Sequence, residues 1–142
     1  MSAELCPCGG VAPGAKLAVA PRFADCCGRY LSGGALAPNA FELMRSRYSA
    51  YALGDAQYLR ATWDPATCPA DLDASLAADQ GQTRWLGLEI RHYALLDEQH
   101  AEVEFVARYK IGGRAWRLHE KSRFTRDADG AWRYVDGVIN QR

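Results

Sequence analysis

The chain has 142 residues, enough for one ordinary domain and too few for two full ones. Hydrophobic residues make up 49% and charged residues 24%, near the globular average, which excludes a mainly disordered or fibrous state. Its 17 Lys and Arg balance 17 Asp and Glu, so no long-range positive field gathers nucleic acid or anionic lipid, and neither class of partner is expected.

The first stretch, Met1 to Pro38, is rich in Gly, Pro, Ala and Cys without a helical or strand period, so it cannot build a core and needs a staple. No basic residue precedes Lys16, and Val11 to Ala20 is interrupted by Pro13, Gly14 and Lys16, unlike a secretory signal. No run approaches the roughly 18 apolar residues that span a bilayer. The chain therefore reads as a soluble, cytoplasmic protein without a membrane role, and its cysteines as thiols or metal ligands rather than disulfides. Cys6-Pro7-Cys8 and Cys26-Cys27 supply four thiolates in two tight pairs, the set that a structural Zn²⁺ takes at tetrahedral geometry. Closed four-sulfur coordination leaves no position for water, so such a zinc is structural, and its ligation contributes on the order of 10 kcal/mol of apparent folding free energy. Unpaired thiols or a redox pair are the alternatives. Cys68, beside Pro69, stands outside the set as a half-buried thiol.

Pro38-Asn39-Ala40-Phe41-Glu42 signals a helix start, with Asn39 as cap and Glu42 three residues on, as in a capping box. Phe41, Met44, Tyr48 and Tyr51 recur at spacings of three and four, and Gly54 supplies the stop. Asp55 caps a second helix that carries Tyr58, Leu59 and Trp63 as far as Pro65; a third, weaker helix spans Asp71 to Asp79. From Trp85 onward, turn residues at Leu96 to His100, Gly112-Gly113 and Asp127 to Gly130 divide β-rich runs into four hairpin-joined strands. In the second, Val103, Phe105, Ala107, Tyr109 and Ile111 oppose Glu102, Glu104, Arg108 and Lys110, the alternation of a half-buried antiparallel sheet. Helices first and a meander afterwards is the α+β pattern, a curved sheet wrapped around helices.

Polar groups fall on the apolar side of two strands. Glu120 and Ser122 share a face with Trp116, Leu118 and Phe124, and Asp136 shares one with Trp132 and Tyr134. Arg45 lies one turn after Phe41 on the inner helix. A carboxylate facing a core must be paired or have a raised pKa. Arg45 or Arg47 with Glu120 or Asp136 is the expected partnership, Arg45 with Glu120 foremost, and a tether between helix and sheet outranks catalysis. Among the histidines, His119 is expected on the outer face, and His92 and His100 show no ligating spacing. Trp63, Trp85, Trp116 and Trp132 read as core and pocket wall.

Beyond these patterns, Cys6-Pro7-Cys8-Gly9 with Cys26-Cys27-Gly28 resembles the SEC-C zinc motif. Leu43-Met44-Arg45-Ser46-Arg47-Tyr48-Ser49-Ala50-Tyr51, Thr62-Trp63-Asp64-Pro65, Trp85-Leu86-Gly87-Leu88, Phe105-Val106-Ala107-Arg108-Tyr109, His119-Glu120-Lys121-Ser122-Arg123-Phe124 and Trp132-Arg133-Tyr134-Val135-Asp136-Gly137 extend a resemblance to bacterial YchJ-type proteins over nearly the whole chain. The resemblance implies a zinc-binding cysteine segment at residues 1–37 and a cone-shaped domain similar to nuclear transport factor 2 at residues 38–142; it implies no particular activity. Gly9 to Asp25 separate the cysteine pairs where the SEC-C pattern has about eight residues, a lengthening that costs only about 0.6 kcal/mol per doubling of the loop. Asp64 stands where relatives often have His, and no second SEC-C motif follows, so a role requiring two metal modules is not expected. Cone-shaped folds of this kind hold a cavity between sheet and helices that isomerases and cyclases use for acid/base chemistry, an analogy of fold alone. Arg45, Tyr48, Trp63, Glu120, Ser122 and Asp136 are its candidate residues here.

Three function classes follow in order. The first is a zinc-stabilised binding or adaptor module that docks a protein partner through the cysteine segment. A pocket enzyme of isomerase or dehydratase type, acting on a small molecule with carboxylates of the concave sheet face, is second. A homodimer whose sheet serves assembly is third. The reading commits to none of them as an enzyme.

Overall fold

A computed structural model describes residues 5–10, 21–79 and 82–141; the stretch 11–20, and with it the expectation about a signal sequence there, lies outside the described residues. Helices α1 (Gly28–Leu31), α2 (Ala40–Leu53), α3 (Ala56–Ala61) and α4 (Leu72–Asp79) precede strands β1 (Thr83–Asp97), β2 (His100–Ile111), β3 (Arg114–Arg126) and β4 (Trp132–Gln141). The strands form one antiparallel sheet in the order β1-β2-β3-β4, the α+β arrangement expected. No helix among the described residues is long and apolar enough to cross a membrane.

Helix α2 begins where Asn39 accepts a 2.9 Å hydrogen bond from the Glu42 amide and ends at Gly54, whose φ of 73° suits a residue without a Cβ. Only the Asn39 half of the capping box is as expected, because the Glu42 carboxylate is engaged by Tyr30 Oη at 3.3 Å and Arg45 Nη2 at 3.1 Å. Helix α3 starts at the Asp55 cap but stops at Ala61, before the expected Pro65. Trp63 is pulled out of it by a bridge to β4, in which the Tyr134 amide donates to Thr62 O and the Asp64 amide to Tyr134 O, both at 2.8 Å. These strand-type bonds supply partners that another helical turn would have supplied, so the helix yields.

Between β2 and β3, Gly112 and Gly113 both have positive φ, 58° and 80°, which suits a two-residue hairpin turn and its right-handed strand twist. Val103, Phe105 and Ala107 are buried as the alternation requires, whereas Ile111 reaches past the helices and is 42% exposed. Strand β1 slips register against β2 at three places, and β4 slips once against β3; such bulges bend a strand and increase its twist, curling the sheet around α2. The main core joins Leu43, Met44 and Tyr48 of α2 to Ile90, Val103, Phe105 and Phe124 of the sheet, and it includes all four N-terminal cysteines.

Asn39→Ala should lower stability by about 1 kcal/mol through loss of the cap, read as a lower denaturant midpoint at unchanged slope.

Candidate functional site

Two constructions lie on opposite sides of α2. On one, Cys6, Cys8, Cys26 and Cys27 are all buried, with their sulfurs within 4.8 Å of one another. The local chain explains the convergence. Leu5 pairs with Arg22, and the Cys6 amide donates to Pro21 O at 2.8 Å, closing the long insertion at its base. A turn closed by Gly9 N donating to Cys6 O places Cys8 beside Cys6, and the Gly10 amide donates to Cys8 Sγ at 3.2 Å. Gly9 and Gly10 have φ of 80° and 71°, the backbone freedom that the Cys-Pro-Cys-Gly sequence supplies. Cys26 and Cys27 open the turn into α1, where their carbonyls accept from the Arg29 and Tyr30 amides.

Tetrahedral zinc with Zn–S bonds near 2.3 Å holds its sulfurs about 3.8 Å apart. Here Cys6 Sγ lies 3.4 Å from Cys8 Sγ, and Cys8 Sγ lies 3.5 Å from Cys26 Sγ, so the donor set fits such an ion. Helix α2 supplies the surroundings: Arg45 Nη2 is 3.6 Å from Cys26 Sγ and Ser49 Oγ is 3.5 Å from Cys6 Sγ. The sulfurs also perturb each other. Hydrogen bonding to Cys26 holds the Cys6 thiol below its ordinary pKa and raises Cys8 and Cys27, while Cys26 is lowered to about 7, chiefly by Cys27. Four sulfurs that share protons so strongly titrate as one unit, which a divalent cation would replace with four thiolates.

On the other side a cavity of about 260 Å³ is bounded by Met44, Arg47, Tyr48, Tyr51, Trp85, Phe105, Ala107, Leu118, Glu120 and Tyr134. Glu120 is buried, and its Oε2 accepts from Ser122 Oγ and from Tyr134 Oη, the latter at 2.9 Å. Burial first, and the nearby Glu120 charge second, hold the Tyr134 phenol above its ordinary pKa, so it remains a donor. Tyr48 is pushed up to about 12, chiefly by burial. Arg47 is 2% exposed; its Nη1 donates to Leu59 O at 2.9 Å and Thr62 Oγ1 at 2.8 Å. Its guanidinium lies 4.7 Å from the ring centroids of both Trp63 and Tyr134. Burial draws its pKa down, yet a guanidinium stays a cation in proteins.

The structure corrects two expected placements. Arg45 does not meet Glu120: it turns to the cysteines and Glu42, since α2 is covered on both sides and Arg45 lies on the side away from the sheet. Asp136 does not face the core with Tyr134. The register slips between Phe124 paired with Tyr134 and Arg123 paired with Asp136, so Val135 is an extra residue and Asp136 moves to the outer face. There it forms a two-pronged ion pair with exposed Arg123, each contact 2.6 Å. Of the remaining candidates, Glu120 and Tyr48 border the cavity; Ser122 supports Glu120 from beneath, and Trp63 lines the neighbouring cleft below α4. Tyr51 and Tyr134 join the cavity wall without having been candidates, and Arg47, expected only as a partner of a sheet carboxylate, joins it too. Arg47 stands three residues after Met44 and four before Tyr51, a spacing that already places it on their stripe. Tyr134 already shares the apolar face with Trp132 in the sequence pattern, ahead of the bulge. Of the histidines, His119 bonds Glu104 at 2.6 Å across the outer face, and His100 meets Asp97 at 2.8 Å, a pairing that the spacing had not suggested.

Residues 39–137 match the family described as YchJ, middle NTF2-like domain. The chain belongs to the YchJ family. It is 52% identical over 137 residues to a UPF0225 protein of Cupriavidus pinatubonensis, covering 93% of this chain and 86% of that protein. The YchJ fold seen here resembles the solution structure of a SEC-C motif containing protein from Rhodopseudomonas palustris, with a TM-score of 0.72, 32% identity, and coverage of 85% of this chain and 94% of that one. A crystal structure of a SEC-C motif containing protein from Psychrobacter arcticus superposes with a TM-score of 0.74 at 30% identity, covering 98% and 84%. Fold and family of the YchJ resemblance thus hold, and the four cysteines that it assigns to one cluster do converge.

Arg47→Met removes a buried cation whose field reaches the buried Glu120 and leaves the Leu59 carbonyl without its side-chain donor, so it should destabilise the fold by roughly 3 kcal/mol or more. Asp136→Asn, which breaks only an exposed ion pair, should leave the denaturant midpoint nearly unchanged.

Proposed function

We propose that the cysteine cluster holds a structural Zn²⁺ and that the domain behind it binds a small molecule in the cavity beside Glu120. The observation that carries the second half is that the buried Glu120 and the buried Arg47 both border open space without closing on each other in an ion pair. A core tether needs no cavity, whereas a binding site uses a largely apolar concavity with few polar groups aimed into it. Room for the carboxylate is built into β4: a Cβ on Gly137 would sit 2.8 Å from both Cγ and Cδ of Glu120. The first half rests on the donor set. Four buried thiols beside Arg45 suit a doubly negative tetrathiolate centre, with no side left for substrate.

Docking of a protein through the cysteine segment takes second place, because all four sulfurs are turned into the molecule against α2. Proton transfer by Glu120 is a reading within the pocket function, since a carboxylate in a largely apolar cavity is a candidate acid or base. A homodimer through the sheet is a further proposal, as is residence in the cytoplasm.

Protein purified under reducing, zinc-replete conditions should carry about one zinc per chain by elemental analysis, and Cys6→Ser should carry far less. Chelation should lower the thermal midpoint of the wild type. Zinc content near zero, or unchanged content in Cys6→Ser, refutes the metal assignment; reversible oxidation that chelators do not affect would establish a thiol switch instead.

A further inference from the structure

The cavity's two charged residues differ in what they offer. Tyr134 and Ser122 both donate to one oxygen of Glu120, Oε2, which leaves Oε1 as the acceptor available to a molecule entering the cavity. Arg47, the buried cation of the wall, spends Nη1 on Leu59 O and Thr62 Oγ1, and its guanidinium lies over the rings of Trp63 and Tyr134. The cation's charge is thus met by two acceptors and two aromatic rings, whereas Glu120 Oε1 has no hydrogen-bond partner among the described residues. The rest of the wall includes Met44, Phe105, Ala107, Leu118 and the rings of Tyr48 and Trp85.

From this asymmetry, and resting on the cavity reading above, we infer that the ligand is an uncharged aromatic or alicyclic molecule that donates one hydrogen bond, from a hydroxyl or N–H, to Glu120. Charge argues against the alternatives. An anion would be drawn to Arg47 but would lie against Glu120 inside a small apolar space, and a cation would meet the reverse conflict; in either case the balance of one cation and one carboxylate is broken and a buried charge is left in excess. A neutral donor keeps the cavity's own balance and adds a charge-assisted hydrogen bond. Size agrees: an apolar cavity of about 150 Å³ holds benzene, so 260 Å³ takes one ring with substituents or two fused rings. Rings also match the wall, where Tyr48 and Trp85 stand edge to face at 5.5 Å. Tyr51 and Trp85 further border two clefts of 350 and 380 Å³ along α4, which places the entrance beside that helix.

Four one-ring probes of similar size separate the possibilities: p-cresol, toluene, benzylamine as its ammonium ion, and p-toluate, each titrated by amide NMR into the full-length, zinc-loaded protein at neutral pH. The expected result is p-cresol bound about tenfold tighter than either charged probe and several-fold tighter than toluene, with shifts at Tyr48, Trp85 and Phe105. Glu120→Gln should weaken p-cresol about tenfold and leave toluene unchanged. If p-toluate or the ammonium ion binds as tightly as p-cresol, or toluene does, the ligand class is wrong while the cavity reading stands. If none of the four moves those resonances, the cavity reading itself falls. The ranking on the wild type decides even where the Glu120 variant fails to fold.

Discussion

Eight consecutive residues of α2, Leu43 to Ala50, are buried, and two of them are arginines. A helix lying on a sheet ordinarily keeps one polar face in water. This one has none over that stretch, because the sheet covers one side, the cysteine segment another and α3 a third. Each guanidinium must therefore be compensated where it lies, since an unpaired buried charge costs several kcal/mol. Arg45 and Arg47 are two residues apart, about 200° around the helix, so they cannot share a partner. One finds Glu42 and the sulfurs; the other finds carbonyl and hydroxyl oxygens of α3 and its C-terminal cap, two aromatic faces and the field of Glu120. The cysteine cluster and the cavity are the two consequences of burying this stretch of one helix.

That same burial marks where the sequence was legible and where it was not. Caps, glycine turns and strand alternation are local, so the α2 boundaries and the hairpin at Gly112-Gly113 follow from a few adjacent residues. The cysteine pairs were legible for a chemical reason, since four thiols in a segment without a core have few other uses. The α2 stripe of Phe41, Met44, Tyr48 and Tyr51 showed the sheet-facing side correctly, but an amphipathic reading assumes that the rest faces water. Arg45 was then assigned to the interior facing the sheet, when its side of the helix has an interior of its own.

Asp136 was lost to a different cause. Period-2 reading propagates along a strand only while the ladder is regular, and one extra residue reverses every side chain beyond it. Val135 is that residue, and nothing in Trp132-Arg133-Tyr134-Val135-Asp136-Gly137 marks it locally. The slip depends on contacts from elsewhere: Trp63 bridges Tyr134, and Thr67 Oγ1 donates to Val135 O at 2.6 Å. The consequence reaches the cavity. With the slip, Gly137 instead of Asp136 comes opposite Ser122 on the inner face, and the space that a second carboxylate would have filled is occupied by Glu120.

The cysteine segment and the cavity are joined mechanically through a single rigid element. Arg45 and Ser49 fix the rotation of α2 against the sulfurs, and the same rotation sets where Arg47, Tyr48 and Tyr51 enter the cavity. Close-packed interiors accommodate a turned helix poorly, because side chains on every side must repack. A segment that cannot form its own core is thereby more than an appendage. Its cysteines belong to the main core cluster, and whatever holds the four sulfurs together also holds the wall of the cavity on the far side of the helix.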